Sequence, residues 1–428
     1  MRKLTVLFTL CYLTTFNPVS AQVQNSKTKN SSKEEYKKFR VGGYGEMVAD
    51  FKDYGLNRFT PSGSYKENRS TISIPRFVIA FDYKFNSKWI LGAEVEFEHG
   101  GTGVAKEIEY SDENGEYETE IEKGGEVALE QFHITRLIHP AFNIRAGHII
   151  VPVGLTNAHH EPINFFGTSR PEGETTILPS TWHENGISIF GKFNNGIDYE
   201  LQIVAGLNPN GFRRQDWISE GKQGSFESTN FTSPAYVARL NYSGIKGLRI
   251  GASAYYNKTG KNSNKPEFMN GIDAPVTIFT ADAQYKSKNF IARVNIIRGN
   301  IKETTALNAA NKRLSSSSGY SRTPVAKKAV SYAGEAGYNI GSFFGKKAPH
   351  IYPFVRYEYY NPQEKTEKEM VADKRLQVDM WTVGANYFAL PNLVLKANYA
   401  MRSIGKGKYN SENEFSIGLA YIGWFTKK

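Results

Sequence analysis

The His-rich stretch of this chain lies within residues 151–185. It holds His159-His160-Glu161, Arg170-Pro171, Glu172, Glu174 and His183-Glu184. A His/His/Glu group can hold a divalent metal. Adjacent histidines point apart, however, and the spacing follows no regular ligand pattern, so the sequence predicts neither a metal nor another cofactor. There is no G-x-S-x-G, no H-E-x-x-H and no phosphate-cradling glycine loop, so no catalytic constellation is expected. Gly42-Gly43-Tyr44-Gly45 sits in an alternating segment, where glycines suit a bend or a close backbone approach.

The remaining charges recur on one parity of alternating segments. The basic set is Arg76, Lys84, Arg145, Arg239, Arg249, Arg293, Lys396 and Arg402, with Arg356 on a less regular segment. The acidic set is Glu46, Asp50, Glu94, Glu96, Glu98, Asp198, Glu200, Asp282, Glu335 and Glu358. Guanidinium and ammonium groups can replace the hydration shell of an anion, and rings of them make a pore anion-selective. Here the two sets are about equal. A purely basic tube is therefore not predicted. A field between an acidic and a basic wall is an equal reading, and so is simple cross-strand pairing. Arg145, Arg170 and Arg249 are the residues expected to face a passing solute, with Arg170-Pro171 shaping the narrowest point.

These residues need elements that place one face in water and the other in hydrocarbon. Phe77, Ile79, Phe81, Tyr83 and Phe85 alternate with Val78, Ala80, Asp82 and Lys84. Trp89, Leu91, Ala93, Val95 and Phe97 alternate with Gly92, Glu94, Glu96 and Glu98. Such strands have one greasy and one wet face. Sixteen segments are predicted: 40–51, 71–85, 88–98, 126–138, 141–150, 186–194, 197–207, 235–243, 247–257, 276–286, 289–299, 330–341, 350–361, 376–389, 392–402 and 413–425. Seven short connections alternate with eight long ones, the asymmetry of an outer-membrane barrel with short periplasmic turns and long external loops. The third long loop, about 151–185, is the expected constriction. Unpaired backbone groups cost several kcal/mol each in hydrocarbon, so the sheet must close. Aromatics expected at the membrane interfaces are Tyr44, Trp89, Tyr199, Tyr242, Tyr256, Tyr285, Tyr359, Trp381, Tyr399 and Tyr421.

The start of the chain reads as an export signal over residues 1–21: Arg2-Lys3, an apolar run from Leu4 to Phe16, and Val19-Ser20-Ala21 before the cut. Its removal takes Cys11, the sole cysteine, and two of the 53 basic residues but none of the 42 acidic, leaving +9. Residues 22–39 are expected to be a flexible periplasmic lead-in, and 40–428 the barrel. Mean hydropathy is −0.47 with 13% aromatics, as expected where apolar residues occupy every second position. Basic residues are spread rather than interleaved with aromatics, which argues against a nucleic-acid partner. The expected surroundings are outer-membrane lipids and small hydrophilic solutes. Two other readings stay open. One is a barrel enzyme with a Ser/His pair at a rim. The other is a plugged or adhesive scaffold, to which the acidic stretch Glu107 to Glu126 and the serines 315–318 would suit.

The most specific part of the chain is residues 128–211. Ala128-Leu129-Glu130-Gln131-Phe132 precedes Ile144-Arg145-Ala146-Gly147-His148, then Val151-Pro152-Val153-Gly154, Ser169-Arg170-Pro171, Glu184-Asn185-Gly186 and Ala205-Gly206-Leu207-Asn208. In order and spacing this resembles the phosphate-selective porin O and P family. The resemblance implies a trimeric, water-filled, sixteen-stranded pore for small solutes, phosphate or other anions among them. The chain departs from the usual outer-membrane barrel in ending not on an aromatic residue but on Thr426-Lys427-Lys428 after Phe425.

Overall fold

The computed structural model describes residues 38–104, 107–109, 118–120, 123–223, 228–314, 322–345, 348–368 and 370–427. The expected export signal, nearly all of the lead-in, the serines 315–318 and part of the acidic second loop lie outside the described residues. Sixteen antiparallel strands form a closed barrel. They are β1 (Phe39–Lys52), β2 (Arg69–Lys84), β3 (Trp89–Val104), β4 (Lys123–His139), β5 (Phe142–Ile150), β6 (His183–Lys192), β7 (Ile197–Val204) and β8 (Ala235–Tyr242). The second half comprises β9 (Leu248–Lys258), β10 (Pro275–Lys286), β11 (Phe290–Ile301), β12 (Lys328–Tyr338), β13 (His350–Lys365), β14 (Val378–Leu390), β15 (Leu393–Ile404) and β16 (Glu412–Lys427). Each strand pairs with its sequence neighbours, and β1 closes on β16 with Gly43 opposite Gly423 and Phe51 opposite Phe415. Closure leaves no edge of the barrel sheet unpaired, which a hydrocarbon environment requires.

The burial pattern is that of a barrel turned inside out. Outward Phe77, Ile79, Leu201, Ile203, Val294, Ile296, Leu395 and Ile417 are exposed, whereas inward Arg76, Glu94, Glu96, Arg239, Asp282 and Arg356 are buried. The tight turns fall where expected. Between β6 and β7, Gly196 has φ +88°, and a Cβ there would lie 2.6 Å from the Gly244 nitrogen, so only glycine fits.

Two features differ from the sequence expectation. First, β3 and β4 run beyond residues 98 and 126, and the short segments Glu107–Glu109 and Glu118–Glu120 pair above them. An extension past the bilayer meets water on both faces, so nothing there demands alternation. Second, one wall of the lumen is apolar. Val204, Val237, Tyr255, Ile278 and Ile297 point inward and are buried against Val153, Leu178, Trp182, Phe212, Trp217 and Leu307 of the long loops. Trp182 packs on Tyr255 with ring centroids 4.7 Å apart. Burying an aliphatic or aromatic side chain stabilises by about 1.5–3 kcal/mol, so this core anchors the loops against the wall.

Candidate constriction

The third long loop (residues 151–182) crosses the barrel interior and carries two short helices, α1 (Leu155–Ala158) and α2 (Glu172–Ile177). Gly154, at φ +88°, starts the first helix, and a Cβ there would meet the Glu174 carboxylate at 2.2 Å. Glu174 ties the two helices together by accepting from the Thr156 and Asn157 nitrogens at 3.2 and 2.8 Å. Burial raises the Glu174 pKa against the opposing effect of these bonds.

The loop is fastened around the lumen by the inward-facing charges. On one side Arg239 donates to the carbonyls of Pro152 (3.4 Å) and Gly154 (3.2 Å) while bonding Asp282 at 2.7 Å. Arg249 donates to His159 Nε2 at 2.6 Å and to Asn241 at 3.0 Å. Burial first, and then Arg249 and Arg239, hold the His159 imidazole well below its ordinary pKa, so it stays neutral and accepts. Further along, Arg76 donates to the His160 carbonyl at 3.3 Å. On the opposite wall Lys396 donates to the carbonyls of Pro162, Phe165 (2.9 Å) and Gly167 (2.8 Å). The Phe166 ring stacks on Phe354 at 5.2 Å under the Arg293 guanidinium, and the Phe166 nitrogen donates to Glu335. Arg356 donates to the Ser169 carbonyl at 3.1 and 3.2 Å.

Helix α2 closes the circuit. Glu172 accepts from Arg402 Nε at 2.7 Å and from the Tyr360 hydroxyl at 2.5 Å. Burial alone would raise the Glu172 pKa, but Arg402, Arg58 and the Tyr360 bond outweigh it and hold the carboxyl down to about 2.

Most of the expected lumen cations are therefore paired. Arg76 meets Glu96 and Glu130, Arg239 meets Asp282, Arg293 meets Glu335, Arg356 meets Glu335 and Glu358, and Arg402 meets Glu172 and Glu414. Arg145 lies over the Phe190 ring, 3.8 Å from Glu200. The three residues expected to face a passing solute lie at different places along the lumen. Arg145 and Arg249 sit near the short-turn ends of β5 and β9, while Arg170 sits on the loop. Arg170 donates to Thr181 Oγ1 at 3.0 Å and Ser180 Oγ at 2.6 Å and remains partly exposed. Among the described residues, Arg170 and Arg249 have no carboxylate within ion-pair distance.

Two placements differ from the sequence expectation. Tyr44, expected at a membrane interface, faces inward at 1% exposure. It donates to Glu130 at 3.0 Å and accepts from Arg76 at 2.9 Å. It shares the parity of Glu46 on β1, and its hydroxyl gives the buried carboxylate a partner. Glu130 itself was missed. The β3–β4 register jumps between Glu94↔Gln131 and Val95↔Leu129, a bulge that turns Glu130 and Gln131 inward together.

The family described as phosphate-selective porin O and P matches residues 41–421. The chain belongs to this family. It is an outer-membrane β-barrel and a passive channel. An uncharacterized protein of Aquifex aeolicus (strain VF5) is 25% identical over 394 residues, 90% of this chain and 79% of its own length. Among solved structures, the anion-selective porin from Comamonas acidovorans superposes with a TM-score of 0.54 at 11% identity, covering 90% of this chain and 99% of that one. The outer membrane channel DcaP of Acinetobacter baumannii gives 0.53 at 11% identity, with 90% and 97% covered. Salmonella typhi OmpF, in complex with daunomycin, gives 0.54 at 14% identity, with 90% and 98% covered. At these identities the solved structures share the barrel fold. Membership of the porin O and P family rests on the sequence match.

Proposed function

We propose that this porin O and P chain passes small hydrophilic solutes with a modest preference for anions, phosphate among them. In this reading it acts as a homotrimer in the outer membrane after loss of residues 1–21. The observation that carries the preference is the imbalance of pairing. Arg170 on the constriction loop and Arg249 on the wall have no carboxylate partner among the described residues, while most other lumen guanidiniums are compensated. A pore with few uncompensated positive charges favours anions without excluding cations. The family's description as phosphate-selective and the anion selectivity of the Comamonas acidovorans porin agree with this direction.

One charge about 6 Å from an ion in water is worth about 0.7 kcal/mol, near a threefold change in permeability ratio. Planar-bilayer recordings of Arg170→Ala should therefore show a reversal potential shifted toward cations by that factor. Unchanged conductance and unchanged selectivity in this variant would remove Arg170 from the pathway. Phosphate added to a chloride solution should lower the chloride current, and no competition at all would remove phosphate from the solutes.

A further inference from the structure

We propose that Glu94, Glu130 and His160 form a binding site for a divalent transition-metal ion that clasps the third loop to the β3–β4 wall. One ligand atom from each residue lies within 4.8 Å of the others, and the three side chains are 4%, 0% and 3% exposed. Two come from adjacent strands, brought level by the bulge at Glu130, and the third comes from the loop. The site is thus a junction between wall and constriction.

The histidine points to a metal ligand. His160 Nδ1 lies 3.2 Å from the Asn157 carbonyl, which assigns the ring proton to that nitrogen. This is the arrangement that orients metal-bound imidazoles through their other nitrogen. Nε2 then turns a lone pair toward two carboxylates. It is buried and makes no hydrogen bond of acceptable geometry, although Glu130 Oε1 is 2.9 Å away. A lone pair facing a carboxylate oxygen across that distance is repulsive unless a cation or a proton lies between them.

The charge balance agrees. Arg76 bonds Glu96 and lies 3.2 Å from Glu130, and the Tyr44 hydroxyl donates to Glu130 as well. Arg76 pairs with Glu96 and Glu130, while Glu94 lies beside Glu130 and His160 and has no Lys or Arg within ion-pair distance among the described residues. With all three carboxyls ionised and His160 neutral, two negative charges are left over in a dry setting, where charges must be matched by a cation or removed by protons. A divalent cation matches them. One imidazole with two carboxylates suits zinc or a similar first-row ion better than calcium or magnesium, which take oxygen ligands. Zinc bonds to oxygen and nitrogen run about 2.0–2.2 Å, so the ligand atoms would close by about 1 Å at their widest, with water completing the shell. Loss of the ion would free the loop at His160, next to the Arg76 bond, and alter the aperture.

The test uses the full-length barrel, stripped with a chelator, dialysed and checked for folding by its heat-modifiable migration on a gel. Zn2+ is then titrated calorimetrically. Wild type should take one Zn2+ per chain, and Glu94→Gln and His160→Gln should each bind roughly tenfold or more weakly. Zn2+ should also change single-channel conductance in wild type but not in Glu94→Gln. His148→Gln, in the separate His148–His183 contact, should bind as wild type does. Absence of Zn2+ binding to the folded wild-type barrel overturns the proposal, and identifies the pair as proton-bridged. Binding that survives both Glu94→Gln and His160→Gln, or that falls in His148→Gln instead, overturns it by placing the ion elsewhere.

Discussion

Lys396 illustrates how much of the lumen charge is committed to architecture. Its ammonium, 2% exposed, donates to three loop carbonyls and, among the described residues, to no carboxylate. Lys396→Met would leave those carbonyls buried without a donor, at a cost on the order of 3 kcal/mol. Guanidinium unfolding in detergent should show the lower midpoint, together with a noisier open channel. An unchanged midpoint would mean that water takes over the bonds. Glu172 leads to a pH prediction. Its folded pKa is depressed to about 2, so its contribution to loop docking is fully present above the ordinary carboxylate range near 4. It is lost only as pH falls through about 2. Channel closure or flicker arising from this contact should begin below about pH 3, whereas Glu172→Gln should flicker at neutral pH. Acid-induced flicker that Glu172→Gln leaves unaltered would assign it to another group.

At the scale of elements, the third loop is held by two different forces, polar fastening on one side and apolar packing on the other. Trp217 belongs to the packed side, fully buried, with its indole nitrogen donating to the Ala326 carbonyl at 3.1 Å. Gly299 makes room for it, since a Cβ there would lie 1.9 Å from the indole ring. Trp217→Ala should cost about 3–5 kcal/mol, read as a lower temperature for loss of the folded gel band. Gly299→Val should be comparably damaging through overpacking. Retention of wild-type heat stability by both would show that the loop core is dispensable. All sixteen strands and the alternation of short and long connections were legible in the sequence because lipid and water impose a period of two. What was not legible has three physical causes. The bulge at Glu130 breaks that period locally. Tyr44 is an aromatic residue serving a buried carboxylate rather than a membrane interface. The upper lumen wall at Val237, Ile278 and Ile297 faces protein, so its inward positions are apolar and mimic the lipid side. Which cations pair, and with what, depends on where the loop lies, and no spacing in the chain encodes that.

At the scale of the whole molecule, the mixed charge of the lumen turns from an ambiguity into a mechanism. In the reading proposed above, many lumen acids and bases hold one another and the loop, and Arg170 and Arg249, without a carboxylate partner among the described residues, set the preference. The net positive charge of the chain, +9 once residues 1–21 are removed, favours anions near the pore in the same direction. The measurement that bears most directly on this account is the reversal potential of the purified wild-type barrel in a planar bilayer under a KCl gradient. The account predicts steady ohmic conductance with a reversal potential displaced modestly toward the chloride equilibrium value. A barrel that carries no ohmic current, or one whose potential lies on the potassium side, would contradict it.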